Sequence, residues 1–266
     1  MALMRRIAAF FLCLLCAASA AQGADGTLGT VEDLLTAVNE PKATMAESTL
    51  GLAVADAART VCGSDTALIP GGDLAANLRG GAVRERDLER ALPSDSPLVR
   101  WRVTEELLRE LLERCVSSLT VDEREQLSPE SESPWFPQVS GIRLRCDATA
   151  LVGERVRELD VEGVEGASFT LAGPAHLEEL MPELAAVREE VTGYTGRSAF
   201  AAYLRELETL AVPRTGRVRV IGVRQEGLIG GIPPMAVLAL FLVLVAFSAV
   251  NVRYHGRPKS RRYGTR

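Results

Sequence analysis

The sequence predicts an α+β domain, with layered helices on a mixed sheet, followed by one C-terminal transmembrane helix. Three observations carry this expectation. Segments alternating in polarity, as half-buried strands do, are interleaved with segments whose apolar residues recur at helical spacing. Roughly 200 residues lie outside the terminal apolar stretches, enough for one domain with a real core. Residues 232–252 are almost wholly apolar.

The helix predicted first runs from Glu47 to Val61, with Leu50, Val54, Ala57, Ala58 and Val61 on one side. Gly71-Gly72 and Gly80-Gly81 are paired glycines that tolerate positive φ and read as tight turns flanking short elements. Leu98 to Val103 alternates, with Val99, Trp101 and Val103 on one face and Arg100 and Arg102 on the other. Thr104 can cap the next helix, whose first turn places Glu105 and Glu106 at the positive end of the dipole. Leu107, Leu108, Leu111, Leu112 and Cys115 line its buried side. Asp122 to Pro134, rich in acid, Ser and Pro, reads as an exposed loop. Ile142 to Cys146 and Arg217 to Val220 alternate as strands, and Leu159 and Val161 suggest another. His176 to Arg188 and Ser198 to Leu210 complete the predicted helices.

The termini set the expected address. Arg5 and Arg6 precede an apolar run from Ile7 to Ala18 and the small residues Ala18-Ser19-Ala20, the layout of a secretory leader. At ~1.5 Å per residue, the 21 residues from Ile232 to Val252 span roughly 31 Å, close to a bilayer core. Arg253, Arg257, Lys259, Arg261, Arg262 and Arg266 follow without an acid, so the tail is expected to be cytoplasmic and the body extracellular. The predicted organisation is a signal peptide over 1–23, an N-terminal segment over 24–37 and an outer domain over 38–222. A stem over 223–231, the membrane helix over 232–252 and the basic tail over 253–266 follow.

All 35 acidic residues lie between Asp25 and Glu226, against 22 basic ones outside the leader and tail, so the body carries a charge near −13. Such a body lacks the basic footprint that nucleic-acid binding requires, and no nucleic acid is expected as partner. Outside the leader, Cys62, Cys115 and Cys146 have no metal-ligand spacing and read as small buried residues. His255 sits in the tail and His176 opens a helix, where a capping or solvent-facing role is expected. No serine has a histidine partner for a hydrolytic triad, and Gly71-Gly72-Asp73 lacks the lysine of a phosphate-binding loop. Neither a catalytic group, a metal site nor a cofactor is predicted. Arg100 and Arg102, Arg143 and Arg145, and Arg217 and Arg219 alternate outward on three strands and would form one anion-binding face if those strands were neighbours.

Several motifs resemble the C-terminal domain of the 5′-nucleotidase family. Ala67 to Glu113 has its order of glycine turn, helix, strand and helix. Glu47-Ser48-Thr49-Leu50-Gly51 with Ala55-Asp56-Ala57 is similar to its E-[ST]-x-L-G-N…A-D-A helix, and Phe136-Pro137-Gln138-Val139-Ser140-Gly141-Ile142 to its F-x-Q-V-S-G-[IL] strand. Gly153-Glu154-Arg155-Val156 resembles the hairpin that follows, and Gly216-Arg217-Val218 the closing G-R-[IV] strand. The family pairs such a domain, which grips the nucleoside, with a metal-dependent phosphoesterase domain; only the former is legible in these residues.

The departures fall on substrate ligands. The family's N-G-G-x-[IL]-R turn has Pro70 and Ala75 at its Asn and Arg positions, its Pro-Phe pair is Pro93-Ser94, and its late N-G-G-D-G-[FY] loop is replaced by Leu171 to His176 or their neighbours. The resemblance therefore implies a membrane-anchored, extracellular binding or interaction module for a nucleotide or other anionic ligand, without catalysis of its own. Its alternative is a component of a nucleotide-catabolic hydrolase that works with a separate phosphoesterase subunit.

Overall fold

The computed structural model describes residues 26–39, 41–164 and 166–223. The predicted signal peptide, membrane helix and basic tail lie outside the described residues. Among those described, no helix is long and apolar enough to cross a membrane.

In chain order the elements are β1 (Thr27–Val31), α1 (Thr49–Cys62), β2 (Thr66–Pro70), β3 (Gly81–Arg84), α2 (Glu85–Ala91), β4 (Pro97–Val103), α3 (Glu105–Cys115), β5 (Pro137–Ser140), β6 (Ile142–Asp147), β7 (Val156–Val161), β8 (Phe169–Pro174), α4 (Leu177–Leu180), β9 (Arg188–Thr195), α5 (Gly196–Leu207), β10 (Thr209–Leu210) and β11 (Val218–Ile221). The described strands form three sheets, ordered β5-β2-β8-β4-β9, β11-β6-β7 and β10-β1-β3. Parallel pairs (β2–β8, β6–β11, β1–β10) and antiparallel ones coexist, so the fold is mixed α+β as the sequence predicts.

The five-stranded sheet separates two cores, and its side chains alternate between them. Ala67, Ile69, Leu98 and Ala172 join α1, α5 and β1 on one side. Leu68, Val99, Trp101, Val103, Phe169 and Leu171 join α3, β6 and β7 on the other. Trp101 therefore stands on the predicted face, fully buried, and its indole N–H donates to Glu178 at 2.9 Å.

Of the helix caps, the one at Thr104 is the one the sequence predicts. Ser48 caps α1 by accepting from Gly51 N at 3.1 Å, and Gly63, at φ 59°, closes it in the left-handed conformation. Thr104 caps α3 by accepting from Leu107 N at 3.3 Å.

Four expectations change. Residues 27–37 are no separate segment: β1 pairs with β3 and β10, and Leu28, Val31, Leu35 and Ala37 are buried in the first core. The helix predicted over His176–Arg188 is α4 followed by a 3-10 turn at Pro182–Val187, because Pro182 has no N–H to continue the ladder. The Leu171–His176 stretch, aligned with a family loop, is mostly the buried strand β8. Gly71 and Gly72 form a 3-10 turn without positive φ; they are needed for close approach, since a Cβ on Gly71 would stand 2.0 Å from the Ala43 carbonyl oxygen.

Candidate binding cleft

Two polar constellations dominate the described domain. The first is a clasp that holds β11 to the start and middle of α1. Glu47 stands just ahead of the α1 cap, and its carboxylate accepts three successive backbone N–H groups, from Gly216, from Arg217 at 2.8 Å and from Val218 at 3.0 Å. Further along the helix, Asp56 takes the Arg217 guanidinium in a two-pronged pair at 2.6 and 2.9 Å and accepts the Ser140 hydroxyl at 2.6 Å. Gln138, fully buried, accepts from Ser48 N and Oγ at 2.9 and 3.2 Å and donates to the Ala43 and Ala46 carbonyls, both at 2.9 Å. Gly51 must lack a side chain there, because a Cβ would meet Gln138 at 2.4 Å.

The second constellation is a shallow surface cleft where β2, β8 and the start of α5 converge. Val54, Ile69, Leu92 and Leu98 give its apolar walls, and Asp73, Ser94, Ser96 and Arg197 its polar groups. The Gly71–Asp73 turn delivers Asp73 to the rim, where His176 Nε2 lies 3.4 Å from its Oδ1. The Trp135 ring packs on the imidazole at 5.7 Å between centroids, tilted by 49°. Burial pushes the Asp73 carboxyl above the usual carboxylate range, with His176 acting in the opposite direction. His176 occupies the cap position of α4 without a side-chain capping bond, so the expected capping role is unfilled and the ring serves Asp73 and Trp135 instead.

The six arginines do not share a face. β6 and β11 are neighbours, with Arg145 opposite Arg219, but β4 belongs to a different sheet. Five already hold carboxylates. Arg100 reaches Glu189 and Glu190, and it also donates to the Cys62 carbonyl at the end of α1 at 3.1 Å. Arg102 pairs with Glu189 at 2.7 Å, Arg143 with Glu162 at 2.9 Å, Arg145 with Glu158 at 2.7 Å and Arg217 with Asp56. Arg219 is exposed at the sheet edge.

Cysteine chemistry is also closed off. Cys62, Cys115 and Cys146 are free and buried, and burial pushes Cys146 up to about 12 and the other two thiols upward as well. A neutral thiol shut away from solvent is a poor nucleophile. No cluster of three or more His, Cys, Asp and Glu that could hold a metal ion occurs among the described residues.

The cleft pair is not legible in the sequence, because Asp73 and His176 meet only through the β2–β8 pairing. One signal does point to it: His176 is the one histidine among the described residues, and Asp73 follows a glycine pair that marks a tight approach of the chain.

The family model for the 5′-nucleotidase C-terminal domain matches residues 27–174. No curated protein matches by sequence. Among solved structures, the 5′-nucleotidase precursor from Thermus thermophilus superimposes with a TM-score of 0.64 at 22% identity, over 74% of this chain and 39% of that one. The sulfate thiohydrolase SoxB from the same organism gives 0.56 at 22% identity, over 76% and 36%. The NAD nucleotidase of Haemophilus influenzae gives 0.59 at 15% identity, over 73% and 38%. The chain thus spans about two fifths of the length of these structures, and the likeness is one of fold.

Proposed function

Because the chain belongs to the 5′-nucleotidase C-terminal domain family, we propose that it works as the ligand-side domain of that family without the chemistry: an outward-facing, singly anchored binding or interaction module. One observation carries this reading. The residues that match the family's motifs, Glu47, Asp56, Gln138, Ser140 and Arg217, are committed to internal contacts of the clasp. Where the family's substrate-binding Asn and Arg belong, beside the cleft, stand Pro70 and Ala75. A ligand would therefore meet Asp73, the partner of His176, together with the two serines and Arg197, which already holds Asp95, a set that favours a small polar molecule with both a donor and an anionic group.

The membrane span and basic tail support the anchored topology through their composition alone. The test is phosphate release from AMP by the purified chain with and without divalent metal, beside a thermal-shift panel of nucleosides, nucleotides and acidic sugars. No release, with a shift for one ligand class, is expected; robust turnover by the isolated chain overturns the reading. A second reading is favoured by the solved structures themselves, two of which are nucleotidases that extend well beyond the matched part. In it, this chain joins a separately encoded metallophosphatase, and phosphate release appears only when the two are mixed.

A further inference from the structure

The loop between β6 and β7, residues 148–155, presents two adjacent apolar side chains to solvent. Leu151 is 74% and Val152 66% exposed, the largest values among the described large apolar residues. This loop is braced. The guanidinium of Arg155, itself 5% exposed, donates to the carbonyls of Ala150 at 3.3 Å, Val116 at 2.7 Å and Ser117, where α3 ends. The Glu113 carboxylate accepts from Arg155 N at 3.0 Å and Val156 N at 2.7 Å. At the other foot, Asp147 accepts from Thr149 N and Oγ1 at 3.0 and 2.6 Å. The apolar tip is therefore held out by a fixed scaffold.

Its direction follows from register. β11 runs parallel to β6 with Ile221 opposite Asp147, and Ala148 N donates to the Ile221 carbonyl at 3.0 Å. The chain thus passes out of this sheet at the end where the tip projects. Ten residues, 222–231, separate that exit from the apolar stretch beginning at Ile232. Fully extended, they reach about 36 Å at most.

We propose that Leu151 and Val152 rest in the interface of a lipid bilayer as a second membrane contact of the outer domain; this rests on the anchored reading above. Two apolar side chains are far too small a patch for a stable protein interface, but sufficient to dip into the acyl boundary beside an existing anchor. Charge argues the same way. The body between leader and tail is near −13, so an anionic surface would repel it, whereas the tip carries one exposed acid, Glu154, and Asp147 at its foot is matched by Arg157 at 3.4 Å.

The experiment uses the full chain reconstituted into phosphatidylcholine vesicles, with Val152→Trp at the tip and Leu207→Trp on α5 as the exposed control. Emission is read against the parent chain in plain and chain-brominated lipid, and the same vesicles are washed at alkaline pH. The added emission of Val152→Trp should shift to the blue and fall roughly by half in brominated lipid, while that of Leu207→Trp stays constant. A chain that survives the wash with an unquenched Val152→Trp overturns the tip contact and leaves the anchor standing. A chain stripped by the wash removes the anchored reading and this proposal with it. An unquenched tip together with a dimer that Leu151→Ser/Val152→Ser dissociates would assign the patch to a second copy instead.

Discussion

The clasp around β11 and the cleft beside the Gly71–Asp73 turn are built from the same materials, carboxylates, hydroxyls and one arginine each, but use them in opposite ways. In the clasp the contacts of Glu47, Asp56, Gln138 and Ser140 are mostly 2.6–3.0 Å and cross three elements. In the cleft Arg197 is held closely by Asp95, but the remaining contacts are stretched: His176 to Asp73, His176 N to Ser96 Oγ and Ser96 N to Ser94 Oγ all stand at 3.4 Å. Groups at hydrogen-bonding distances below 3 Å contribute to folding, whereas loosely engaged ones retain capacity for a ligand. The motif residues Glu47, Asp56, Gln138, Ser140 and Arg217 lie in the first region, whereas Ser94 and Pro174, at altered positions, line the second. A chain can thus keep the fold signature of a nucleotidase domain while its binding surface changes.

Removing the Gln138 amide strikes the clasp hardest. Gln138→Ala leaves Ser48 N and the Ala43 and Ala46 carbonyls without their partner and opens a cavity against Gly51, at a cost of about 3–5 kcal/mol in chemical denaturation. The matched cleft variant, His176→Ala, should cost less than about 1 kcal/mol. Equal losses would erase the distinction between the two regions.

Next in size is the Asp56–Arg217 pair. Each side chain is about a quarter exposed, so either single alanine variant should cost about 2–4 kcal/mol, less than a fully buried pair. The double variant should lose clearly less than the sum, because the second substitution removes a charge already orphaned by the first. Strict additivity would mean that the pair contributes nothing to the clasp.

How much of this was legible in the sequence follows from the same physics. β4 and β6 each show one face to a core and one outward, so alternation revealed them. β2 and β8 are buried on both faces, and TALIP and FTLAGP carry no alternation to read. β9, REEVTGYT, is a polar edge strand that exists through its ladder with β4 rather than through any apolar face. Glu47, Asp56 and Arg217 were visible as motif letters, but their roles were not, since Glu47 meets β11 across 169 to 171 positions. The arginine face failed for the converse reason. Sequence shows a cation's spacing on its own strand and is silent about the acids that neighbouring strands set opposite it.

Smaller effects separate two aspartates by the sign of their pH dependence. Asp65 accepts Thr170 N at 2.8 Å and Thr170 Oγ1 at 2.7 Å, and these hydrogen bonds hold its carboxyl below the usual range. A carboxyl depressed in the folded state contributes stability at neutral pH that is lost as pH falls through its folded value. Asp65→Asn should therefore lower stability by about 0.5–1 kcal/mol at neutral pH, the modest figure reflecting an exposed residue, and flatten the acid side of the stability profile.

Asp73 runs the other way. Burial raises its folded value, so the stability it contributes is fully present below the ordinary carboxylate range and is lost as pH rises through the raised value. Once ionised it is a poorly hydrated charge beside an imidazole 3.4 Å away. Asp73→Asn should accordingly leave neutral-pH stability unchanged or raise it by less than about 1 kcal/mol, and should remove the decline just above the carboxylate range. If the same substitution also abolishes the thermal shift given by whichever ligand class binds, the cleft is holding a strained carboxylate for recognition, as a binding site does. A loss of stability at neutral pH would instead make Asp73 a structural group like Asp56, and the two regions would no longer differ in kind.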